Sequence, residues 1–290
     1  METGNATANA WSDPVTLGKT GITTSRLGLS GGYGIGESDV LRAFDAGVRY
    51  FYFGSRRTGD FGRGMAGLGA TRRDQSTVVV QSYARAACAI RGSLERALKT
   101  MGTDRADVLL LGWWARVPDG ILDEAAAIKS AGLAKTIMVS SHDRPTLVKL
   151  ASDPRVDSIM LRYSAAHPGA EREVFPSLGF RAERRVGVVA YTATRWGMLV
   201  DPKRTPKGEA TPRASDCYRF ALSDDHVDVC VTGPKNSEEL DEALQTIERG
   251  PMSADEIAWM KRVGVAVRDG AKTQMRGMGM SLLDRLFASV

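Results

Sequence analysis

Eight short apolar runs, spaced along a chain of 290 residues, limit what this sequence can fold into more than any other feature. They are RLGLS around Leu27, VRYFYF at 48–53, TVVVQS at 77–82, ADVLLLG at 106–112, KTIMVS at 135–140, VDSIML at 156–161, VGVVAY at 186–191 and VDVCVTG at 227–233. Each has the length of a strand and the near-continuous hydrophobicity of one buried on both faces. Helical patterns lie between most of them: SDVLRAFDAG, RGSLERALKTMG, ILDEAAAIKSAG and SEELDEALQTIERG, several closing on the glycine that helix ends prefer. Eight strands alternating with helices predict a (β/α)₈ TIM barrel, with a doubly wound sheet as the alternative. A dinucleotide-binding sheet would need GxGxxG between its first strand and helix. GGYGIG at 31–36 has the wrong spacing and reads as a turn-forming loop.

The ends of the chain differ from this pattern. Residues 1–14 read as a flexible leader, 15–270 as the barrel, and 271–290 as a tail, TQMRGMGMSLLDRLFASV for the most part, that serves as a lid, a docking helix or a plain terminal helix. DPKRTPKGEATP at 201–212 is a polar, proline-rich loop, and SDCYRFAL after it predicts an extra short helix. The leader has neither a basic nor an apolar signal region, and no run of about 18 apolar residues exists, so no secretory signal or membrane span is expected. Cys88, Cys217 and Cys230 match no metal or disulfide spacing, which suits a reducing cytoplasm. The net charge of +5 is spread among acids with no basic stripe, so nucleic acid is not an expected partner. The oligomeric state is not legible.

In a barrel the active site lies where the strands end. Those ends carry Tyr52, Arg56 and Arg57; Gln81, Ser82, Tyr83 and Arg85; Gly112, Trp113, Trp114 and Arg116; Ser140, Ser141, His142 and Arg144; Arg162, Tyr163, Ser164 and His167; Tyr191, Thr192, Thr194, Arg195 and Trp196; Thr232, Gly233, Pro234 and Lys235. The rim is rich in arginine and aromatics and poor in acids. No carboxylate pair is placed for glycoside chemistry, and no His/Asp/Glu cluster has metal-ligand spacing, so no metal is expected. Guanidinium forks and aromatic faces suit a planar polyanion such as a dinucleotide. In VTGPKNSEELDEAL a strand, a glycine turn and a helix N-terminus form a phosphate-type site, with Lys235 adding charge and Glu238 and Glu239 opposing it.

Together these segments resemble the aldo-keto reductase family, NADPH-dependent carbonyl reductases on a (β/α)₈ barrel. LGKTGITTSRLGLSGGYG is similar to the family's N-terminal hairpin and first strand, DAGVRYFYFG to its "daGvnffDtA" and ADVLLLGWW to its "iDllllHww". VSSHDRP resembles the strand-five serine region, VVAYTATRWGML resembles "iiaYspLgrGlL", and VTGPKNSEELDEAL resembles "ipGxrxxxqLxEnl". The similarity runs from about residue 15 to 268 in unbroken order. The family works through an Asp, Tyr, Lys and His tetrad in which the tyrosine donates the proton. Here the aspartate position matches Tyr52, the tyrosine position Arg57, the lysine position Ser82 and the histidine position Gly112, so the tetrad is missing.

The resemblance implies NADP(H) as cofactor, held by Ser140, Ser141, Tyr191, Thr192, Thr194, Arg195, Gly233, Lys235 and Glu239. Tyr191 matches the aromatic that stacks on nicotinamide, and Lys235 the base that holds the 2′-phosphate. Met160 and Ala243 replace side chains that usually contact the cofactor. Candidate catalytic residues are Tyr52, Arg57, Tyr83 and His142, and the substrate pocket takes in Gly112, Trp113, Trp114, Ser82 and Arg162. Tyr52 shares a face with Tyr50 and packs in the core or donates a proton; His142 faces the site or caps the next helix. Three functions remain open: an oxidoreductase with a reassigned site and a small, in one reading anionic, substrate; a non-catalytic NADP(H)- or anion-binding barrel that acts through a partner; and a non-redox lyase or isomerase.

Overall fold

Each of the eight apolar runs forms a strand in the computed structural model, which describes residues 11–54, 59–179 and 185–277, the last six of them by backbone alone. After a two-stranded antiparallel hairpin, β1 (Val15–Thr16) and β2 (Thr23–Thr24), come β3 (Leu27–Ser30), β4 (Tyr50–Phe53), β5 (Thr77–Ser82) and β6 (Ala106–Leu111). β7 (Ala134–Ser140), β8 (Ser158–Arg162), β9 (Gly187–Tyr191) and β10 (Val229–Thr232) complete the set. All eight are parallel to their neighbours, and β10 closes on β3 through the Cys230–Leu27, Val231–Gly28 and Thr232–Leu29 pairs. The molecule is therefore a closed (β/α)₈ barrel, and the doubly wound alternative is excluded.

Strand alternation sorts the apolar residues into two layers. Tyr50, Val79, Val108, Leu110, Met138, Met160, Val189, Val229 and Val231 fill the lumen. Leu29, Phe51, Val78, Leu109, Ile137, Ile159 and Val188 face the helices. Those helices include α1 (Glu37–Asp45), α2 (Gly59–Gly67), α3 (Gly69–Asp74), α4 (Ala87–Thr100), α5 (Asp119–Ser130) and α6 (Arg144–Ala151). α7 (Gly169–Glu173), α8 (Ala214–Leu222), α9 (Ser237–Arg249) and α10 (Ala254–Gly277) follow. α8 is the extra helix that SDCYRFAL predicted, and the loop before it contains the 3₁₀ turn Pro202–Arg204.

The N-terminal ends of the strands are sealed. Leu17, in the hairpin turn, is fully buried in the lumen cluster. Gly18, at φ +48°, approaches β9 so closely that a Cβ would lie 2.3 Å from the Gly187 nitrogen. Around this plug a single device recurs: an aspartate at the start of a strand accepts the neighbouring strand's backbone N–H and pairs with a cation. Asp107 accepts from Val78 N at 2.8 Å and meets Arg73 and Lys135. Asp157 accepts from Ile137 N at 2.8 Å and meets Lys129. Asp228 accepts from Val188 N at 2.8 Å and is gripped by both Arg185 Nη atoms, at 2.8 and 3.0 Å. The opposite end, where the strands finish, is the open mouth.

The expected leader and tail fall mainly on residues 1–10 and 278–290, outside the described residues. Trp11 is buried against the helix-side core, so the chain is packed from that position, and α10 carries the backbone through 271–277. Cys88 is exposed, while Cys217 and Cys230 are buried; all three are free thiols. Among the described residues no helix is long and apolar enough to cross a membrane.

Candidate active site at the barrel mouth

β4 and β5 deliver Tyr52 and Gln81 to the mouth, where the Tyr52 hydroxyl donates to Gln81 Oε1. This contact explains why β6 is followed by glycine. A Cβ at Gly112 would lie 1.7 Å from Gln81 Nε2, so the glutamine amide occupies the space a side chain at 112 would need. Gln81 is 6% exposed, and its Nε2 has no hydrogen-bond partner among the described residues. Burial pushes the Tyr52 phenol well above its ordinary pKa, and the neighbouring Tyr83 phenol adds to the shift. Tyr50 lies one layer deeper and is core, so the Tyr50/Tyr52 face carries one packing residue and one site residue. Tyr83 donates its hydroxyl to the Gly54 carbonyl and sets its ring edge-on to Trp113 at 5.3 Å.

Ser82, placed in the pocket by family matching, faces the helix side instead. It pairs in register with Leu111, an outer-layer residue, and its Oγ accepts from Ala84 N at 3.3 Å. Gln81 is among the strand-end residues but not among the expected catalytic or pocket residues, although the signal is in the sequence: with Val79 in the lumen, the period of two puts residue 81 there as well.

β7, β8 and β9 build the other wall. Ser140 Oγ accepts from Trp113 N at 2.9 Å, and Ser141 Oγ donates to the Trp114 carbonyl while accepting from Asp143 N. Both serines thus hold the loop after β6. Trp113 leaves that loop 55% exposed, whereas Trp114 is buried with Arg85 stacked on its ring at 4.4 Å. Asp143, not His142, caps α6, accepting from Thr146 N at 2.9 Å. His142 is free of that duty and lies near-parallel to the Tyr191 ring at 6.4 Å. Burial and the Arg162 charge push its pKa down to about 4, so the imidazole is neutral at pH 7. Tyr191 and Arg162 are register partners on adjacent strands; the Tyr191 hydroxyl and both Arg162 Nη atoms are buried without a hydrogen-bond partner among the described residues.

The loop after β9 is strained. Thr192, Arg195 and Trp196 all have φ between +52° and +57°. Trp113 is the remaining non-glycine residue of that kind among the described residues, so all four lie at the mouth. Such residues cost roughly 1–3 kcal/mol each and cluster at functional sites. Thr192 Oγ1 donates to the Tyr191 carbonyl and Thr194 Oγ1 accepts from Gly197 N, so both hydroxyls brace the loop. Beyond it, Tyr33 packs on Gly233, where a Cβ would lie 2.7 Å from its ring. Asn236 caps α9, Glu239 accepts the Lys235 backbone N–H at 2.9 Å, and Lys235 Nζ, well exposed, stands 3.7 Å from that carboxylate.

The structure thus gathers Tyr52, Tyr83, Gly112, Trp113, Trp114, Ser140, Ser141, His142, Arg162, Tyr191, Thr192, Thr194 and Arg195 at one mouth, with Gly233, Lys235 and Glu239 at its edge. Ser82 turns away, and Arg57 lies outside the described residues. Met160 is lumen packing and Ala243 is fully buried on α9. The buried, unpartnered donors Gln81 Nε2, Tyr191 Oη and Arg195 Nη1, with the strained loop between the last two, fit a ligand rich in acceptors such as a dinucleotide. No group of three or more His, Cys, Asp or Glu residues among the described residues is arranged to hold a metal ion.

Comparison with known proteins places this architecture. The sequence profile described as "Aldo/keto reductase family" matches residues 39–216. Among solved structures, aldo-keto reductase AKR11C1 from Bacillus halodurans superposes in its holo form with a TM-score of 0.72 at 17% identity, covering 87% of this chain and 96% of that one. Its apo form gives 0.70 at 18%, covering 87% and 95%. At that identity the likeness speaks for the fold. No curated protein matches the sequence.

Proposed function

The chain belongs to the aldo/keto reductase family, and from that premise we propose that it is an NADP(H)-dependent oxidoreductase acting on a carbonyl or imine through a non-standard active site. The observation that carries this reading is the Gln81 amide, buried, anchored by Tyr52 and standing where a side chain at 112 would stand. An N–H fixed in this way is a preorganised donor for a substrate oxygen or nitrogen on which charge develops.

Tyr191, Arg195 and the loop between them would hold the nicotinamide and diphosphate portion, and Lys235 the 2′-phosphate; bound there, the dinucleotide supplies or takes up a hydride. This chain's own residues do the rest. Gln81 Nε2 donates to the substrate heteroatom, and Tyr52 fixes the other end of the amide. Trp113 and Tyr83 wall the pocket, and the neutral His142 offers one further N–H. The Tyr52 proton is committed to Gln81 Oε1, so a product alkoxide takes its proton from water entering the open mouth, and activated carbonyls or preformed iminium ions are the favoured substrates.

Calorimetric titration with NADPH, with NADH as control, tests the reading. Micromolar binding with a preference for NADPH is expected, and Lys235→Ala should erase about tenfold of that preference. An absence of binding at millimolar cofactor removes the oxidoreductase reading and favours the partner-directed or non-redox alternatives.

A further inference from the structure

Two arginines at the mouth are buried without a negative partner among the described residues. Arg162 is 8% exposed and Arg195 is 4% exposed. Both Nη atoms of Arg162 and Nη1 of Arg195 are fully buried with no hydrogen-bond partner among the described residues. Arg162 lines a narrow cleft with Ser141, His142, Arg144 and His167, and Trp196 stacks over its guanidinium at 5.7 Å. The nearby carboxylates are already engaged: Glu173 by Arg144 at 3.2 Å, and Glu171 by Tyr163 at 2.8 Å and by Lys261. The local field is strongly positive. Burial, together with the charges of Arg195, Arg162, Arg144 and Arg268, pushes the His167 pKa down to about 3.

An isolated buried charge carries a penalty of several kcal/mol unless it is paired. Arg185, equally buried at the other end of the barrel, has Asp228; Arg162 has nothing comparable among the described residues. The missing charge must come from outside the described chain, and a planar fork with two free nitrogens matches an oxyanion held bidentately. We propose that Arg162, in the positive field that Arg195 adds beside it, is the seat of a carboxylate or phosphate group of a bound small molecule, so that the substrate is an anion, while Arg195 itself stays with the dinucleotide. The seat stands on the buried guanidiniums alone; its assignment to the substrate rests on the oxidoreductase reading.

The test uses the full chain, with malonate and inorganic phosphate as probes at constant ionic strength. Thermal unfolding and calorimetry are run with and without saturating NADPH. In the wild type both probes should raise Tm saturably. Arg162→Met should weaken both probes at least about tenfold, and Arg195→Met by less. The exposed Arg96→Met should leave both affinities within about twofold of wild type. Removing an unpaired buried charge should also raise the ligand-free Tm of Arg162→Met, by about 2–4 °C. A merely structural arginine would lower it.

Retention of the probe effect with NADPH bound assigns the seat to the substrate; strict competition assigns it to a dinucleotide phosphate and overturns the substrate claim. Unchanged probe affinity in Arg162→Met, or no probe effect in the wild type, overturns the seat itself. Should Arg162→Met fail to fold, Arg162→Lys, which keeps the charge and loses the fork, must show the same weakening. A probe effect without NADPH binding keeps the seat and removes the oxidoreductase reading. NADPH binding without a probe effect does the reverse.

Discussion

The two ends of the barrel use the same residue type to opposite purposes. At the sealed end Arg185 is completely enclosed, and each of its Nη atoms meets an Asp228 oxygen. At the mouth Arg162 and Arg195 are almost as deeply enclosed, and both Arg162 Nη atoms and Arg195 Nη1 find no partner among the described residues. Backbone geometry divides the same way: the positive-φ non-glycine residues among the described residues all sit at the mouth, and strand-start aspartates tie the other end. In barrels of this kind stability is built at one face and chemistry at the other. A buried arginine is therefore informative only when its partner is known.

The comparison breaks most readily at the sealed end. Asp228→Ala strands Arg185 and should cost about 3–5 kcal/mol in denaturant unfolding; a loss near zero would mean that the two ends do not differ. Gln81→Leu tests the mouth. It should lower kcat/KM about 10²- to 10³-fold on whichever activated carbonyl or imine is turned over, with NADPH affinity held within about twofold; an unchanged rate would remove Gln81 from the chemistry.

Gly112→His is a milder case. The imidazole has to evict the Gln81 amide, a side-chain end and not backbone, so a stability loss of about 1–2 kcal/mol is expected, with no gain in aldehyde reduction. Gly112→His/Gln81→Ala should recover most of that loss; if it does not, the glycine serves some other constraint.

The smallest effect is the acid response of a paired cation in the outer helix layer. Arg219 hydrogen bonds hold the half-exposed Glu256 carboxyl down to about 2. The unfolded chain takes up that proton first, so the contribution is complete above pH about 5 and is lost as pH falls toward about 2. Unfolding free energies across that window should fall less steeply for Glu256→Gln than for the wild type, and equal slopes would mean the pair carries no linkage.

Much of the fold was legible because its causes are local. All eight strands, the extra helix α8 and the helix opening at Ser237 followed from apolar runs, period and turn residues. The site was legible in part. Strand ends put Tyr52, Tyr191, His142 and Arg162 at the mouth, whereas for Ser82 both the strand end and the family match point into a pocket from which strand parity turns it away. Asp143 took the capping role weighed for His142. The strand-start aspartates went unread, since ADV, VDS and VDV look like ordinary strand entries until the neighbouring strand's free N–H is in view.

The sequence alone determined that eight buried strands would alternate with helices, because burial period and backbone preference act over a few residues. It also determined that position 112 carries no side chain. Only the tertiary structure decided that Gln81 fills the space beside Gly112, and that Arg185 has a partner where Arg162 has none among the described residues. Those outcomes depend on residues more than thirty positions apart meeting across neighbouring strands, 43 for Arg185 and Asp228, and the cost of a buried charge is set by what surrounds it in space.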